Sequence, residues 1–295
     1  MSGVFDLIFR LRKIHVFSFL FVLVGISFFF AVKADKTARP AASDVGLRLP
    51  IVMYHHITEK QSRAGRYVIT VSELERDLEY IKKKGYSTVT VSDLIDYVGG
   101  KKELPEKVIM ITFDDGFESV RELAEPLLKK NEMSAVLSVV GSITETYSQN
   151  HDRNVNYAYL NWDDLRELEE SREFEIQNHT YDMHSTNNKG RKGLSRKSGE
   201  SPVDYEAALS ADLLKMQKLL RELSGVNASA VAYPYGSYSR ETLEIVKKLG
   251  FKASFVCEER INQIVPGEED SLFNLGRFNR PSGKATEDFF ERLLK

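Results

Sequence analysis

The stretch VIMITFDDG, from Val108 to Gly116, carries the strongest indication of the fold. Its first part is a continuous apolar run, which is typical of a strand buried on both faces in a parallel sheet covered by helices. Two carboxylates, Asp114 and Asp115, and a glycine follow at once. Because reactive groups in parallel β/α folds lie at the carboxyl ends of the strands, this stretch predicts both a sheet and a candidate site.

The rest of the chain repeats this alternation of short apolar runs and amphipathic segments. Strands are predicted at about 51–54, 108–113, 135–140, 174–178, 228–233 and 253–256. Helices are predicted at about 72–85, 119–131, 163–171, 205–223 and 240–249. The alternation predicts an α/β fold with a parallel sheet, and because fewer than eight units are clear, we expect a distorted or incomplete (β/α) barrel. Residues 185–203 are polar and basic without an apolar period, so we expect a long surface insertion there.

The amino-terminal part of the chain has a different character. A short basic stretch precedes an apolar run from Ile14 to Val32, which at ~1.5 Å per residue is long enough to cross a hydrocarbon core of ~30 Å. The positive charge before this run predicts a cytoplasmic segment 1–13, a transmembrane signal-anchor 14–32, a linker 33–49 and an extracytoplasmic domain 50–295. Because Val32-Lys33-Ala34 resembles a cleavage site, secretion after removal of a signal peptide is the alternative.

The composition excludes several classes of protein. Hydrophobic residues make up 42% and charged residues 28% of the 295 residues, which is typical of a globular domain. A formal net charge of −2 gives no indication of nucleic-acid binding. The single cysteine, Cys257, excludes an internal disulfide and a site of several thiolates. We expect the domain to act as a monomer.

The paired carboxylates have two interpretations. Asp114 and Asp115 could not both be buried and ionised without a cation, and a metal ion bound by one would leave the other free as a base. Alternatively, the Asp-Gly pair simply supplies a turn. His179 and His184 follow another predicted strand, five residues apart. Since two histidines and one carboxylate form a known open zinc site, the combination favours a metal centre.

Two other strand ends carry candidate residues. His55 and His56 follow the first predicted strand, and because neighbouring strand residues point to opposite faces, we expect only one of them to face the site. The stretch Tyr233–Gly236 follows a later strand. Its proline and glycine could fix a loop that directs backbone N–H groups inward, or form an ordinary turn.

Together these motifs resemble the polysaccharide deacetylase family, also called the NodB-homology family or carbohydrate esterase family 4. The resemblance covers about residues 50–280 and rests on Met53–His56, Thr112–Gly116, Asn178–His184 and Ala232–Gly236. The five-residue histidine spacing and the early Tyr-His motif are most similar to the branch that includes poly-N-acetylglucosamine deacetylases. The resemblance implies a NodB-like barrel.

The resemblance also implies a role for several residues. Asp114 would be the catalytic base, and the backbone N–H of Tyr235 would help to stabilise the oxyanion. Asp115, His179 and His184 would bind a divalent metal ion, usually Zn²⁺, although a set of two histidines and one carboxylate also accepts Co²⁺, Ni²⁺ or Mn²⁺.

The sequence departs from the family pattern at two places. Ala232 occupies the position of the usual arginine, and Arg277 is a candidate to replace that arginine as the partner of Asp114. The late histidine that usually acts as the acid is absent, because no histidine follows His184. In the similar branch an early histidine is thought to take this role, which points to His55, with His56 directed away.

These features predict metal-dependent hydrolysis of N-acetyl groups from a polysaccharide that contains N-acetylglucosamine, with release of acetate. Peptidoglycan and poly-N-acetylglucosamine both present the required acetamide, and the sequence does not distinguish them. The alternative is an inactive glycan-binding domain of the same fold. A glycosidase is disfavoured, because adjacent carboxylates cannot flank a scissile bond at the ~5 Å or more that such enzymes need.

Overall fold

The computed structural model describes residues 46–186 and 190–294. The predicted cytoplasmic segment 1–13 and signal-anchor 14–32 lie outside the described residues, as does most of the linker 33–49. Within the described ranges, no helix combines the length and apolar character needed to cross a bilayer.

The described elements alternate between strands and helices. The strands are β1 Leu47–Leu49, β2 Ile51–Tyr54, β3 His56–Thr58, β4 Val68–Thr70, β5 Ser87–Thr88, β6 Val108–Asp115, β7 Ala135–Val139, β8 Phe174–Asn178, β9 Ala230–Ala232, β10 Ala253–Phe255, β11 Asn262–Ile264 and β12 Phe278–Asn279. The α-helices are α1 Val71–Lys83, α2 Val91–Val98, α3 Glu125–Asn131, α4 Gly141–Asn150, α5 Trp162–Ser171, α6 Pro202–Leu219, α7 Thr242–Lys248 and α8 Thr286–Phe290. Short 3₁₀ or π turns lie at Gln61–Arg63, Val120–Ala124, Leu220–Ser224, Pro234–Gly236 and Glu269–Leu272.

One curled parallel sheet forms the centre of the fold. Its strands are paired in the order β10-β9-β8-β7-β6-β2-β12, and β5 also pairs with β6. Every pairing in this sheet is parallel. The curled parallel sheet with helices outside it confirms the predicted incomplete (β/α) barrel.

The segment from Leu275 to Asn279 bridges the two ends of this sheet. Leu275 forms a parallel bridge with Phe255 of β10, at one end of the strand order. Three residues later, Phe278 of β12 pairs with Val52 of β2, near the other end. We call residues 275–279 the closing segment, because a single short stretch connects both ends of the curled sheet.

The apolar run of β6 is continuous because its two faces pack against different cores. Ile109, Ile111 and Phe113 belong to the core between the sheet and the outer helices. Val108 and Met110 belong to the core enclosed by the strands, where helix α2 also packs. A strand buried on both faces shows no alternation of polar and apolar residues. The alternation of side-chain direction nevertheless persists and determines where the residues after Phe113 point.

The predicted surface insertion is in part a folded structure. Leu194 is fully buried in a third core cluster. Arg191 is 5% exposed and forms a 2.5 Å ion pair with Glu200. Pro202 already begins α6, with Ser201 as its N-cap. Most described residues of 185–203 are exposed or half-buried, which confirms the predicted surface insertion, while Leu194 and the ion pair of Arg191 with Glu200 anchor it to the domain.

A buried ion pair holds the residues after the closing segment against β2 and α1. The Arg280 guanidinium donates to Asp77 on α1 through Nε (2.8 Å) and Nη2 (3.0 Å). Tyr54 of β2 and Thr286 of α8 also donate hydroxyl hydrogen bonds to the Asp77 carboxylate. Asp77 is fully buried and Arg280 is 1% exposed, so each charge depends on the other for compensation.

We expect Asp77→Ala to lower the free energy of unfolding by about 3–5 kcal/mol, because it leaves the buried Arg280 guanidinium without a counter-charge. Urea-induced unfolding followed by circular dichroism measures this change. The matched control is Asp96→Ala. The Asp96 carboxylate lies 3.9 Å from the exposed Lys101 ammonium, and its removal should lower the free energy of unfolding by less than ~1 kcal/mol. Similar effects of the two variants would contradict the assigned role of the buried pair.

Candidate active site

The end of β6 places two adjacent carboxylates in one pocket. Asp114 lies an even number of residues after Val108 and Met110, so its side chain points into the barrel, as theirs do. Asp115 would point outward in a regular strand, but its backbone has a left-handed φ of 76°. Gly116 follows with a φ of 80°, and a Cβ there would lie 2.9 Å from Cγ1 of Val139. The Asp-Gly turn therefore brings both carboxylates to the same pocket.

Asp114 forms a bidentate ion pair with Arg277 of the closing segment. Nη1 donates to Oδ1 at 2.7 Å and Nη2 donates to Oδ2 at 2.8 Å. Asp114 is 2% exposed and Arg277 is fully buried. Burial alone would raise the pKa of Asp114, but the charges of Arg277 and His179 outweigh it and keep this pKa below its ordinary value. The structure thus brings Arg277 to the carboxylate that the sequence analysis named as its partner.

Asp115, His179 and His184 converge with metal-site spacing. Oδ1 of Asp115 lies 3.1 Å from Nε2 of His184 and 3.5 Å from Nε2 of His179. One potential ligand atom from each residue lies within 4.8 Å of the other two. The three side chains come from the ends of β6 and β8, which are both neighbours of β7 in the sheet.

The hydrogen bonds around these residues fit a divalent metal ion. Oδ1 of Asp115 is buried and makes no hydrogen bond with the described residues. Nδ1 of His179 lies 2.8 Å from the carbonyl oxygen of Ala232, so Nδ1 carries a proton and Nε2 is the atom that a neutral imidazole would offer to a metal ion. Nδ1 of His184 lies 3.3 Å from the hydroxyl of Tyr235. One orphaned carboxylate oxygen and two available imidazole nitrogens are the donor set of an open zinc site.

His55 and His56 both line the pocket, but in different surroundings: the charges of Asp114 and Asp115 act on His55, whereas Nδ1 of His56 lies 2.8 Å from the hydroxyl of Ser119. The two side chains separate because β2 ends at Tyr54, while His56 begins β3 and pairs with β4. His55 packs against Tyr67, with ring centroids 5.0 Å apart. Burial lowers the pKa of His55, although Asp114 and Asp115 oppose this shift.

Tyr235 lies on the rim of the pocket beside His184. Its backbone has a left-handed φ of 59°, in the short turn Pro234–Gly236 after β9. The two rings are 4.8 Å apart at their centroids, and 41% of Tyr235 remains exposed. A Cβ on Gly236 would lie 2.8 Å from the backbone nitrogen of Cys257, so the glycine allows this turn to pack closely on the residue after β10.

The pocket that contains these residues has a volume of about 860 Å³. Six of the seven predicted site residues line this pocket: His55, Asp114, Asp115, His179, His184 and Tyr235. The seventh, Arg277, contacts Asp114 from outside the pocket lining. The sequence analysis missed an aromatic group in the lining, formed by Tyr67, Phe117, Tyr157 and Tyr159. The closely spaced tyrosines in Asn156–Tyr159 were the one available signal, and they lie in a segment with no apolar period.

Comparison with known proteins places this arrangement in a family. The polysaccharide deacetylase family model matches residues 101–254, which is more than half of the chain. This chain belongs to the polysaccharide deacetylase family. The matched residues include the deacetylase motifs around Asp114, His179 and Tyr235, whereas His55 and Arg277 lie outside them.

Individual relatives of this chain are similar over most of the described domain. The poly-beta-1,6-N-acetyl-D-glucosamine N-deacetylase of Escherichia coli K12 is 26% identical over an alignment of 260 residues that covers 82% of this chain and 38% of that protein. The enzyme of the same name from Staphylococcus aureus MRSA252 is 27% identical over 230 residues, which are 78% of this chain and 71% of that protein. The solved structure of IcaB from Ammonifex degensii superposes with a TM-score of 0.64 at 28% identity, over 81% of this chain and 94% of that one.

We expect the full-length deacetylase to bind about one divalent metal ion per chain, and His184→Ala to lose it, because three protein ligands are the minimum of an open site. Elemental analysis after dialysis against limiting Zn²⁺ measures the stoichiometry. The control is His151→Asn, a histidine outside the pocket lining whose left-handed φ of 54° asparagine tolerates. Unchanged metal content in a folded His184→Ala protein would show that the ligand assignment is wrong.

Proposed function

We propose that this chain removes N-acetyl groups from a polysaccharide containing N-acetylglucosamine, with a divalent metal ion as cofactor. The observation that carries the proposal is the convergence of Asp115, His179 and His184 beside a second carboxylate, Asp114, that is kept ionised by Arg277. Deacetylases specific for poly-beta-1,6-N-acetyl-D-glucosamine are among its relatives, which supports this class of substrate. The chain spans 38% of the length of the E. coli relative, so that protein's complete activity is not implied.

The residues divide the hydrolysis of an acetamide between them. A divalent ion bound by Asp115, His179 and His184, most simply Zn²⁺, would supply Lewis-acid activation of water and of the acetyl carbonyl. Asp114 accepts the proton of the attacking water, and Arg277 favours the ionised carboxylate that this task requires. The carbonyl carbon gains an oxygen from water while its bond to nitrogen breaks, so that acetate and a free amine result.

Two further residues complete the proposed mechanism. His55 lies among the residues that line the pocket with Asp114, and it would donate a proton to the departing amine nitrogen. Burial disfavours the charged form of its imidazole, whereas the neighbouring carboxylates of Asp114 and Asp115 favour it. The backbone N–H of Tyr235 would donate to the oxyanion that develops on the acetyl oxygen.

We expect the full-length protein to release acetate from at least one N-acetylglucosamine polymer, and Asp114→Asn and His55→Ala each to lose about 100-fold or more of the rate. The assay measures acetate from poly-β-1,6-N-acetylglucosamine, peptidoglycan and chitin oligomers. His151→Asn is the control with full activity. Metal content should stay unchanged in Asp114→Asn, and its loss would mean that both carboxylates are ligands. Polymer binding without any acetate release would support an inactive glycan-binding domain instead.

We also propose that segment 14–32 anchors the chain in the cell membrane, with the deacetylase domain outside the cytoplasm. The basic stretch before Ile14 and the length of the apolar run support this orientation. We expect the protein in the membrane fraction, and we expect protease added to intact cells lacking an outer barrier to degrade residues 50–295. A soluble form that begins at Asp35 would show instead that the segment is a cleaved signal peptide.

A further inference from the structure

The loop between His179 and His184 determines how far apart these two candidate ligands lie. It has only four residues, and the first of them, Thr180, has a left-handed φ of 74°. Local side chains accept hydrogen bonds from the first and the last N–H of the loop, at 2.7 and 3.2 Å. The two N–H groups in the middle, those of Tyr181 and Asp182, take their acceptor from a distant part of the chain.

Asp212 on α6 supplies both of these acceptors. Its Oδ1 accepts from the N–H of Tyr181 and its Oδ2 accepts from the N–H of Asp182, each at 2.8 Å. Hydrogen bonds to an ionised group are roughly twice as strong as those between neutral groups. Because one carboxylate accepts from two consecutive N–H groups, it fixes the direction of both peptide units. A helix that contributes no candidate ligand therefore holds the loop between two of them.

The carbonyl oxygens of the same loop are held by the first turn of α4. The N–H of Gly141 donates to the carbonyl oxygen of Thr180 at 3.0 Å, and the N–H of Ser142 donates to that of Tyr181 at 2.7 Å. A Cβ on Gly141 would lie 2.8 Å from Cδ2 of Tyr181 and 2.6 Å from Sδ of Met216 on α6. The glycine therefore allows both helices to pack closely around the loop.

The position of His184 depends on this loop more than that of His179 does. His179 directly follows β8, and its Nδ1 lies 2.8 Å from the carbonyl oxygen of Ala232. His184 comes after the loop, and its Nδ1 lies 3.3 Å from the hydroxyl of Tyr235, which is 41% exposed. The His184 side chain is itself 19% exposed, against 3% for that of His179. What fixes the loop therefore also fixes the second imidazole.

We propose that Asp212 is a positioning residue for the candidate metal site. By holding the N–H groups of Tyr181 and Asp182, it keeps His184 within reach of Asp115 before a divalent ion binds. Ligands that are fixed in advance lose less affinity to ordering. Asp212 does not line the active-site pocket, so it acts through the loop alone. The proposal rests on the proposed metal-dependent function and adds a residue that contacts neither the ion nor the substrate.

The first test measures metal affinity on the full-length protein, which is stripped with a chelator and titrated with Zn²⁺ in competition with a chromophoric chelator. In Asp212→Asn an NH₂ group replaces one of the two accepting oxygens, so one backbone N–H loses its acceptor. We expect the dissociation constant for Zn²⁺ to rise by about 10–100-fold, the range found for residues that orient metal ligands. Acetate release by this variant should return to the wild-type rate at saturating Zn²⁺.

Asp204→Asn is the matched control, with the same change on the same helix. Asp204 is exposed in the first turn of α6, where it accepts a hydrogen bond from the hydroxyl of Ser201. We expect this variant to bind Zn²⁺ as the wild type does. Melting temperatures of the metal-free variants show whether a loss of folding explains a difference in affinity.

The second test follows amide hydrogen exchange in the metal-free protein. We expect slow exchange at Tyr181 and Asp182 in the wild type, because both N–H groups have an acceptor in the fold. In Asp212→Asn at least one of them should exchange about 10-fold faster, the size of one hydrogen bond. The wild-type measurement requires neither a bound ion nor a folded variant.

The outcomes separate this role from the proposed function. A folded Asp212→Asn protein with wild-type Zn²⁺ affinity, or an equal loss in Asp204→Asn, would overturn the positioning role. Fast exchange at both amides in the wild type would overturn it as well, as would an acetate release that stays low at saturating Zn²⁺. A wild type that binds no Zn²⁺, although both amides exchange slowly, would instead refute the metal-dependent function on which the role depends.

Discussion

The charge of Asp114 has to be balanced inside the barrel, and the remainder of the site is arranged around that requirement. A carboxylate that is 2% exposed would take up a proton or destabilise the fold without a partner. Arg277 supplies the partner through two hydrogen bonds of 2.7 and 2.8 Å. Because Arg277 lies between Leu275 and Phe278, which pair with opposite ends of the curled sheet, the same contact joins the candidate base to the closure of the barrel.

A second constraint is that neighbouring residues of a strand point to opposite faces. Asp114 and Asp115 can both reach the pocket only because Asp115 leaves the extended conformation, at a φ of 76°, while β6 still pairs with β7 at Val139. Aspartate tolerates this left-handed region better than most residues, and Gly116 continues it. The turn interpretation and the metal-site interpretation of Asp-Asp-Gly were therefore never exclusive, since the turn is what directs the second carboxylate to its place.

The sequence predicts some parts of this fold well for a physical reason. Strands β6 and β7 are buried on both faces, so their apolar runs are visible without knowledge of their neighbours. Strand β12 depends on β2, far along the chain, and β3 on a separate two-stranded pairing with β4, and neither has such a run. The aromatic group in the pocket lining likewise forms only where segments with no periodic pattern meet.

The position of Arg277 shows why the motif positions alone do not define this site. The family pattern that the sequence resembles has an arginine where Ala232 stands, and here the carbonyl of Ala232 instead lies 2.8 Å from Nδ1 of His179. The positive charge arrives from the closing segment, on another strand. Asp114 requires a positively charged side chain beside its carboxylate, and a residue on either strand can supply that charge. As a consequence, the candidate site includes residues from both sides of the matched region 101–254: His55 comes from β2–β3 before it and Arg277 from the closing segment after it. The Asp77–Arg280 pair then fixes these two flanks to each other, since Arg280 also donates its backbone N–H to Met53, two residues before His55.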